Sequence, residues 1–251
     1  MISVIIPAYN ESQRIRDGVL LPVVRYMQEI YPYNHEIIIV NDGSIDDTAT
    51  VAAEFGRVIT TPHKGKAYAV MSGIFSAAGD VCLITDMDQA TPISELEKTL
   101  WRVDQGTIVI GSRGSERENA PLSRRIIARS QILLRDLILG SSGIKDTQCG
   151  FKLFPTKLAK GLINKLSVYH PLRISEANGP KISSGWDVEF LYLAKRYGHN
   201  ILEIPVVWNH KDTANAGSLR DCFNGVGDLL KIWKANFKGD YLPYAKTIQS
   251  S

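Results

Sequence analysis

Asp86-Met87-Asp88 is the clearest chemical signal in the chain. Two carboxylates at i and i+2, directly after the apolar run Val81-Cys82-Leu83-Ile84-Thr85, can converge on one cation. Hard divalent cations take oxygen ligands, and Mg²⁺ is usually held by one or two carboxylates together with substrate phosphates. The pair therefore suits a metal–diphosphate clamp, with Gln89 able to add a carbonyl oxygen. The competing reading is two solvated loop aspartates, and D-x-D alone does not decide between them. Asp42 follows Ile37-Ile38-Ile39-Val40 and can accept hydrogen bonds from a base or ribose, although Asn-Asp-Gly-Ser is also good turn chemistry. In Pro7-Ala8-Tyr9-Asn10-Glu11, an aromatic ring and a carboxylate suit a nucleoside; an apolar contact plus a helix cap is the alternative. Lys64 and Lys66 flank Gly65 at an expected helix start, where charge and backbone N–H groups meet phosphate. For Lys64 a solvated turn is preferred. From 113 to 135, six arginines stand against two glutamates. Arg113 and Arg117 suit a second phosphate, whereas Arg129 and Arg135 read as an ordinary charged helix face. Neither G-x-x-x-x-G-K-[ST] nor G-x-G-x-x-G occurs, which removes the main support for P-loop and dinucleotide-binding readings.

These groups need elements to bring them together. Short apolar runs at 2–6, 36–40, 58–60, 81–85 and 107–110 read as strands, separated by helical segments at 10–30, 46–55, 65–78 and from Pro92. That alternation predicts an α/β fold, a mostly parallel twisted sheet with helices on both faces. Ligands of such sheets lie beyond the carboxyl ends of the strands. Tyr9 to Glu11, Asp42 to Ser44, His63 to Lys66, Asp86 to Asp88 and Ser112-Arg113 would then share one rim. In the second half, 122–139 and 219–237 are amphipathic, the latter through Leu219, Phe223, Val226, Leu230, Trp233 and Phe237. Trp186 to Tyr197 reads as a helix, Ile201 to Val207 as a strand interrupted by Pro205, and 166–185 as a loop-like insert.

Composition sets the outer bounds. A chain of 251 residues, 44% hydrophobic and 22% charged, buries a core without staples and is neither fibrous nor disordered. A net charge of +3 is too mild to point to nucleic acid. Three scattered cysteines make neither a disulfide framework nor a zinc cluster and favour a reducing compartment. The apolar start ends at Pro7, too short for a signal peptide, and no run of 18 apolar residues would span a membrane.

Val4-Ile5-Ile6-Pro7-Ala8-Tyr9-Asn10-Glu11, Val40-Asn41-Asp42-Gly43-Ser44, Asp86-Met87-Asp88 and Gly111-Ser112-Arg113 occur in order and spacing that resemble glycosyltransferase family 2 with its GT-A fold. Asp146-Thr147-Gln148-Cys149-Gly150-Phe151-Lys152-Leu153-Phe154, then Trp186-Asp187-Val188-Glu189 and Glu203-Ile204-Pro205-Val206, narrow the resemblance to the transferases that load sugars onto polyprenyl phosphates of the dolichyl type. It covers roughly residues 1–220. The resemblance implies one GT-A catalytic domain over 1–251, with a nucleotide-sugar half at 1–112 and an acceptor half at 113–237. Pro7, Ala8, Tyr9, Glu11, Asp42, Lys66, Asp86 and Met87 would bind the nucleotide. Asp88, with Asp86 and Gln89, would hold Mg²⁺ or Mn²⁺. Arg113, with Arg117, Gln148 and Lys152, would meet the acceptor phosphate, and Asp88 and Arg113 would carry catalysis. The implied reaction is inverting hexosyl transfer, with UDP-glucose the leading donor and GDP-mannose the runner-up. A polyprenyl phosphate at the cytosolic face of a membrane would accept the sugar, and a membrane-anchoring partner protein would be compatible with this. The competitors are a family 2 enzyme acting on a saccharide hydroxyl, an inactive nucleotide-sugar-binding subunit and a nucleotidyltransferase. Met87 stands where the family commonly has Ala, and Ala216-Gly217-Ser218-Leu219 lacks a lysine often found there.

Overall fold

The apolar runs become strands β1 (Ile2–Ala8), β2 (His35–Asn41), β3 (Arg57–Thr60), β4 (Val81–Ile84) and β5 (Thr107–Ser112), followed by β6 (Lys152–Pro155) and β7 (Asn200–Pro205). The structure, a computed structural model, describes residues 1–113, 132, 135–136, 143–177, 185–209 and 219–241, the side chains of 219–224 aside. The strands form one sheet in the order β3-β2-β1-β4-β6-β5-β7. β3, β2, β1 and β4 run parallel, as do β5 and β7, while β6 lies antiparallel between β4 and β5. The mostly parallel α/β expectation holds. β6 was not foreseen as a strand, because a run of four residues opening on a lysine carries little strand signal; Lys152 is nonetheless buried.

The period of two along each strand splits the core into two layers. Ile5, Ile38, Val40, Cys82, Ile84, Ile108, Ile110 and Phe154 face α4 (Lys66–Ser76), α6 (Thr156–Ile163), α7 (Gly185–Arg196) and α8 (Leu219–Phe237). Val4, Ile6, Ile37, Ile39, Leu83, Val109 and Leu153 face α1 (Ser12–Arg16), α2 (Leu21–Ile30), α3 (Thr48–Ala52) and the short α5 (Leu96–Thr99). Continuous apolar strands are what a sheet covered on both faces requires. Gly73 lets α4 lie against β1: a Cβ there would stand 2.4 Å from Ile5 Cγ2.

The helix expected from 10 to 30 is two helices. Gly18 adopts φ +84° between them, donating to Ile15 O and accepting from Leu21 N–H, and Pro22 sits in the first turn of α2. The start of α1 is capped from elsewhere in the chain: Thr48 Oγ1 accepts from Glu11 N–H at 2.8 Å and Asp46 Oδ2 from Ser12 N–H at 3.2 Å. The expected helix at Pro92 is three short pieces, 3₁₀ at Ile93–Glu95, α5, and 3₁₀ at Leu100–Arg102. α8 turns Leu229, Ile232 and Ala235 into the core, whereas Leu230, Trp233 and Phe237, expected to share one apolar face, are exposed. The segment 122–139 and the family-like stretch 216–218 lie largely or wholly outside the described residues. None of the described helices is long and apolar enough to cross a membrane.

Candidate functional site

The C-terminal ends of β1, β2 and β4 open onto a cleft of about 350 Å³ lined by Pro7, Ala8, Tyr9, Glu11, Arg14, Asp42, His63, Lys66, Asp86, Met87 and Asp88. The nine positions expected to bind nucleotide or metal from the first four strands, Gln89 apart, therefore share one cavity. Two further residues line it: His63, expected on this rim but given no role, and Arg14, not expected here. Asn10 stitches the first two rim loops together: its Oδ1 accepts from Ile45 N–H at 2.9 Å and its N–H donates to Ser44 Oγ at 3.0 Å.

Asp42 is buried at the start of one wall. Its Oδ1 accepts from Lys64 N–H at 2.9 Å, and its Oδ2 accepts from Gly65 N–H at 2.8 Å. His63 Nδ1 lies 2.8 Å from Oδ2, and the imidazole stacks on Tyr9 with ring centres 4.0 Å apart and planes 7° from parallel. Asp42 thus closes the N-terminal end of α4 as well as lining the cleft. Both readings of this residue, turn capping and ligand contact, are compatible with its place.

The floor is acidic. Lys66 Nζ lies 2.5 Å from Asp86 Oδ1. Burial alone would raise Asp86, but Lys66, with Lys152 and Arg113, outweighs it and holds the carboxyl below its ordinary range. Burial likewise pulls Lys66 down, and Asp86, with Asp187 and Asp88, more than reverses it. Glu11 is pushed up by burial, with Asp88 and Asp46 adding to the effect and Arg14 opposing it. The rise of Glu11 beside Asp88 and Asp46 marks a concentration of negative charge that a cation would relieve. Gln89, at φ +50°, donates through Nε2 to Asp86 O at 2.7 Å, while its buried Oε1 has no hydrogen-bond partner. A divalent cation fits this floor at the accessible carboxylate of Asp88, beside Glu11, with no complete cage of three His, Cys, Asp or Glu groups among the described residues; Gln89, expected to add an oxygen, keeps its Oε1 buried and does not line the cleft. That donor set matches an ion whose shell a diphosphate completes.

Asp86 keeps its position because Gly150 lacks a side chain. A Cβ at Gly150 would stand 2.1 Å from Asp86 Oδ2 and 2.4 Å from its Cγ. Gly150→Ala is expected to force Asp86 away from Lys66 and to cost about 1–3 kcal/mol of stability. Chemical denaturation of the two proteins checks this; an unchanged midpoint would mean that the backbone at 150 yields freely.

Beside the floor, Arg113 at the end of β5 grips Asp146 with Nε and Nη2, both at 2.8 Å, and its guanidinium lies 5.7 Å from the Trp208 ring centre. Glu203 of β7 holds Asp146 in turn, accepting from the backbone N–H groups of Lys145 and Asp146 at 2.9 and 2.7 Å. Arg113 and Asp86 act on each other electrostatically, so the arginine faces the acidic floor. Gln148 is exposed beside this loop, its N–H reaching Asp146 Oδ1 at 3.2 Å. Lys152, expected to meet an acceptor phosphate, is placed otherwise. It is 3% exposed, with Nζ 2.5 Å from Cys149 O and 2.8 Å from Asp187 Oδ1. Enclosed by these two internal partners, the ammonium also helps to lower Asp86. Arg117 lies outside the described residues.

His63 was legible as a rim residue, a histidine following the strand-ending Thr60-Thr61-Pro62 and two residues before the glycine that opens α4, but its stacking on Tyr9 was not. Arg14 stands one helical turn after Glu11, with which it pairs at 3.1 Å. Gly150 was quoted within a motif, but its role needs the approach of Asp86, 64 residues earlier in the chain.

A largely parallel sheet, a nucleotide-sized cleft at its carboxyl rim and a D-x-D turn on the cleft floor define a GT-A glycosyltransferase. The model of Glycosyl transferase family 2 matches residues 3–161, and the chain belongs to that family. Among curated relatives, it is 34% identical over 227 residues to one dolichyl-phosphate beta-glucosyltransferase of Trichomonas vaginalis and 35% identical over 255 residues to another. These alignments cover 82% and 92% of this chain; the chain spans 63% of the first relative's length and 72% of the second's. The human dolichyl-phosphate beta-glucosyltransferase is 33% identical over 82% of this chain and 67% of its own. Solved structures share the fold at low identity. Mannosyl-3-phosphoglycerate synthase from Rubrobacter xylanophilus superposes with a TM-score of 0.63 at 16% identity, covering 100% of this chain and 78% of that one. Glucosyl-3-phosphoglycerate synthase from Mycobacterium tuberculosis, in complex with UDP, gives 0.60 at 18% identity over 93% and 80%.

Proposed function

We propose that this protein transfers glucose from UDP-glucose to a dolichyl-type polyprenyl phosphate, with inversion at the anomeric carbon and with a divalent metal, Mg²⁺ or Mn²⁺. The observation that carries the reading is the run of relatives named dolichyl-phosphate beta-glucosyltransferase, aligned over most of the chain at up to 35% identity. The convergence of Tyr9, Asp42, Lys66, Asp86 and Asp88 on one cleft supports it. Residues 1–112 would carry the donor and 113–237 would shape the acceptor side.

The acceptor explains what the site needs. A phosphate monoester has a second pKa of about 6 and is largely a dianion near neutrality. It attacks without help from a general base, so the burden is electrostatic: one anion must approach another. A bound divalent cation would neutralise charge developing on the leaving diphosphate. Asp88 would hold that ion from the cleft floor. Lys66 fixes Asp86 and contributes positive charge to the floor. Tyr9 and Pro7 enclose the nucleoside. Arg113, aligned by Asp146, would hold the acceptor phosphate in line with the donor. A lipid acceptor also implies work at a membrane surface, with or without an anchoring partner; the cytosolic face is the proposed side.

A radiolabelled donor screen tests the reading. UDP-glucose and GDP-mannose are offered with a short polyprenyl phosphate or with a saccharide, in Mg²⁺ or Mn²⁺. Label from UDP-glucose should move into the organic phase only with the lipid phosphate. Transfer to the saccharide alone, or from GDP-mannose alone, would replace the proposal.

A further inference from the structure

His63 is held from four directions. Asp42 Oδ2 lies 2.8 Å from its Nδ1, and Tyr9 covers its ring at 4.0 Å. Its carbonyl accepts from Ala177 N–H at 2.8 Å, which brings the 171–177 segment to the cleft. The fourth side is Gly43, at φ +64°, where a Cβ would stand 2.7 Å from His63 N. A ring held by Asp42 and Tyr9, on a backbone fixed by Ala177 and by the close approach of Gly43, is a preorganising device in the wall of a ligand cleft.

We propose that His63 is a positioning residue for the base of the nucleotide donor, acting through Tyr9. This rests on the nucleotide-sugar reading above. Tyrosine turns about two side-chain bonds, and a ring that must be ordered on binding subtracts that ordering from affinity. Parallel stacking on an imidazole that is itself fixed by Asp42 orders the Tyr9 ring in advance. The base then meets an aromatic surface already in place, and the stacked pair works as one wall. Asp42 does not depend on His63 for satisfaction, because Lys64 and Gly65 N–H groups also reach its oxygens. The ring of His63, more than its hydrogen bond, is the part that matters.

Two substitutions divide those parts. His63→Phe keeps a flat ring against Tyr9 and drops the contact with Asp42. His63→Asn keeps an N–H for Asp42 and drops the ring. Calorimetric titration with UDP in Mg²⁺ should find His63→Phe close to the parent and His63→Asn weaker by about ten-fold, within the range of aromatic contacts. The donor KM of His63→Asn should rise more than its kcat falls. Tyr9→Leu should show a similar loss of UDP affinity, and Tyr9→Leu/His63→Asn should be little worse than Tyr9→Leu alone. Additive losses in that double variant, parent-like binding by His63→Asn, or equal losses for Phe and Asn would each overturn the proposal. If the parent binds neither UDP nor GDP, the nucleotide-sugar reading falls and this inference with it. Parent binding without coupling between positions 9 and 63 sinks the inference alone.

Discussion

Asp88→Asn should lower kcat/KM by about 10²–10³-fold, the loss expected when a major electrostatic stabiliser of a leaving group is removed. The substitution isolates charge from shape. Asp88 Oδ1 accepts from Ala90 N–H at 3.0 Å, and an asparagine carbonyl can do the same, so the turn after β4 should keep its form. What disappears is the negative charge next to Glu11 on the cleft floor. Thermal unfolding should therefore be nearly unchanged while activity collapses. The decisive comparison is a metal titration: the variant should need far more Mg²⁺ or Mn²⁺ for any residual turnover. A variant as active as the parent in excess EDTA would remove the metal from the mechanism.

Arg113→Ala should have two effects, one on stability and one on catalysis. Asp146 is 3% exposed and takes two charge-assisted hydrogen bonds from the guanidinium. Removing one member of a buried pair leaves an uncompensated charge, at a cost of about 3–5 kcal/mol. Backbone N–H groups of residues 113 and 148 still reach Asp146, which places the expectation at the lower end of that range. Turnover with lipid phosphate should drop by about 10²-fold, with UDP affinity much less affected. The two effects separate in Arg113→Ala/Asp146→Asn. Neutralising the stranded carboxylate should restore most of the stability and none of the turnover. Recovery of turnover along with stability would reduce Arg113 to a structural residue.

The half of the chain that lines the cleft was legible in the sequence for a simple reason. Strands β1, β2, β4 and β5 are buried on both faces and therefore read as unbroken apolar runs, and the rim residues follow them by rule. Asp42, Lys66, Asp86 and Asp88 could be placed without coordinates, because position after a parallel strand already implies the rim. Legibility failed where a residue's environment is made by distant chain. Lys152 looked like a cation awaiting an anion, but Asp187 and Cys149 O enclose it. The long first helix broke at Gly18, a glycine that periodicity alone passes over. In α8 the exposed Leu230, Trp233 and Phe237 match a core-facing stripe as well as they match their actual place, since a helical wheel does not say which side has a neighbour. The stacking of His63 and the role of Gly150 are conspicuous only once Tyr9 and Asp86 stand beside them.

The antiparallel β6 has a consequence for how the polypeptide comes into being. β4 and β5 are not adjacent; the slot between them is filled by residues 152–155. A nascent chain that has emerged only as far as Ser112 can pair β1 to β4 but leaves β5 with no sheet partner. Residues 1–112 are thus not a module that completes its sheet first and waits for the remainder. Translation must proceed some forty residues past β5 before the sheet can close, and an amino-terminal fragment ending near 112 should be a poor candidate for independent expression.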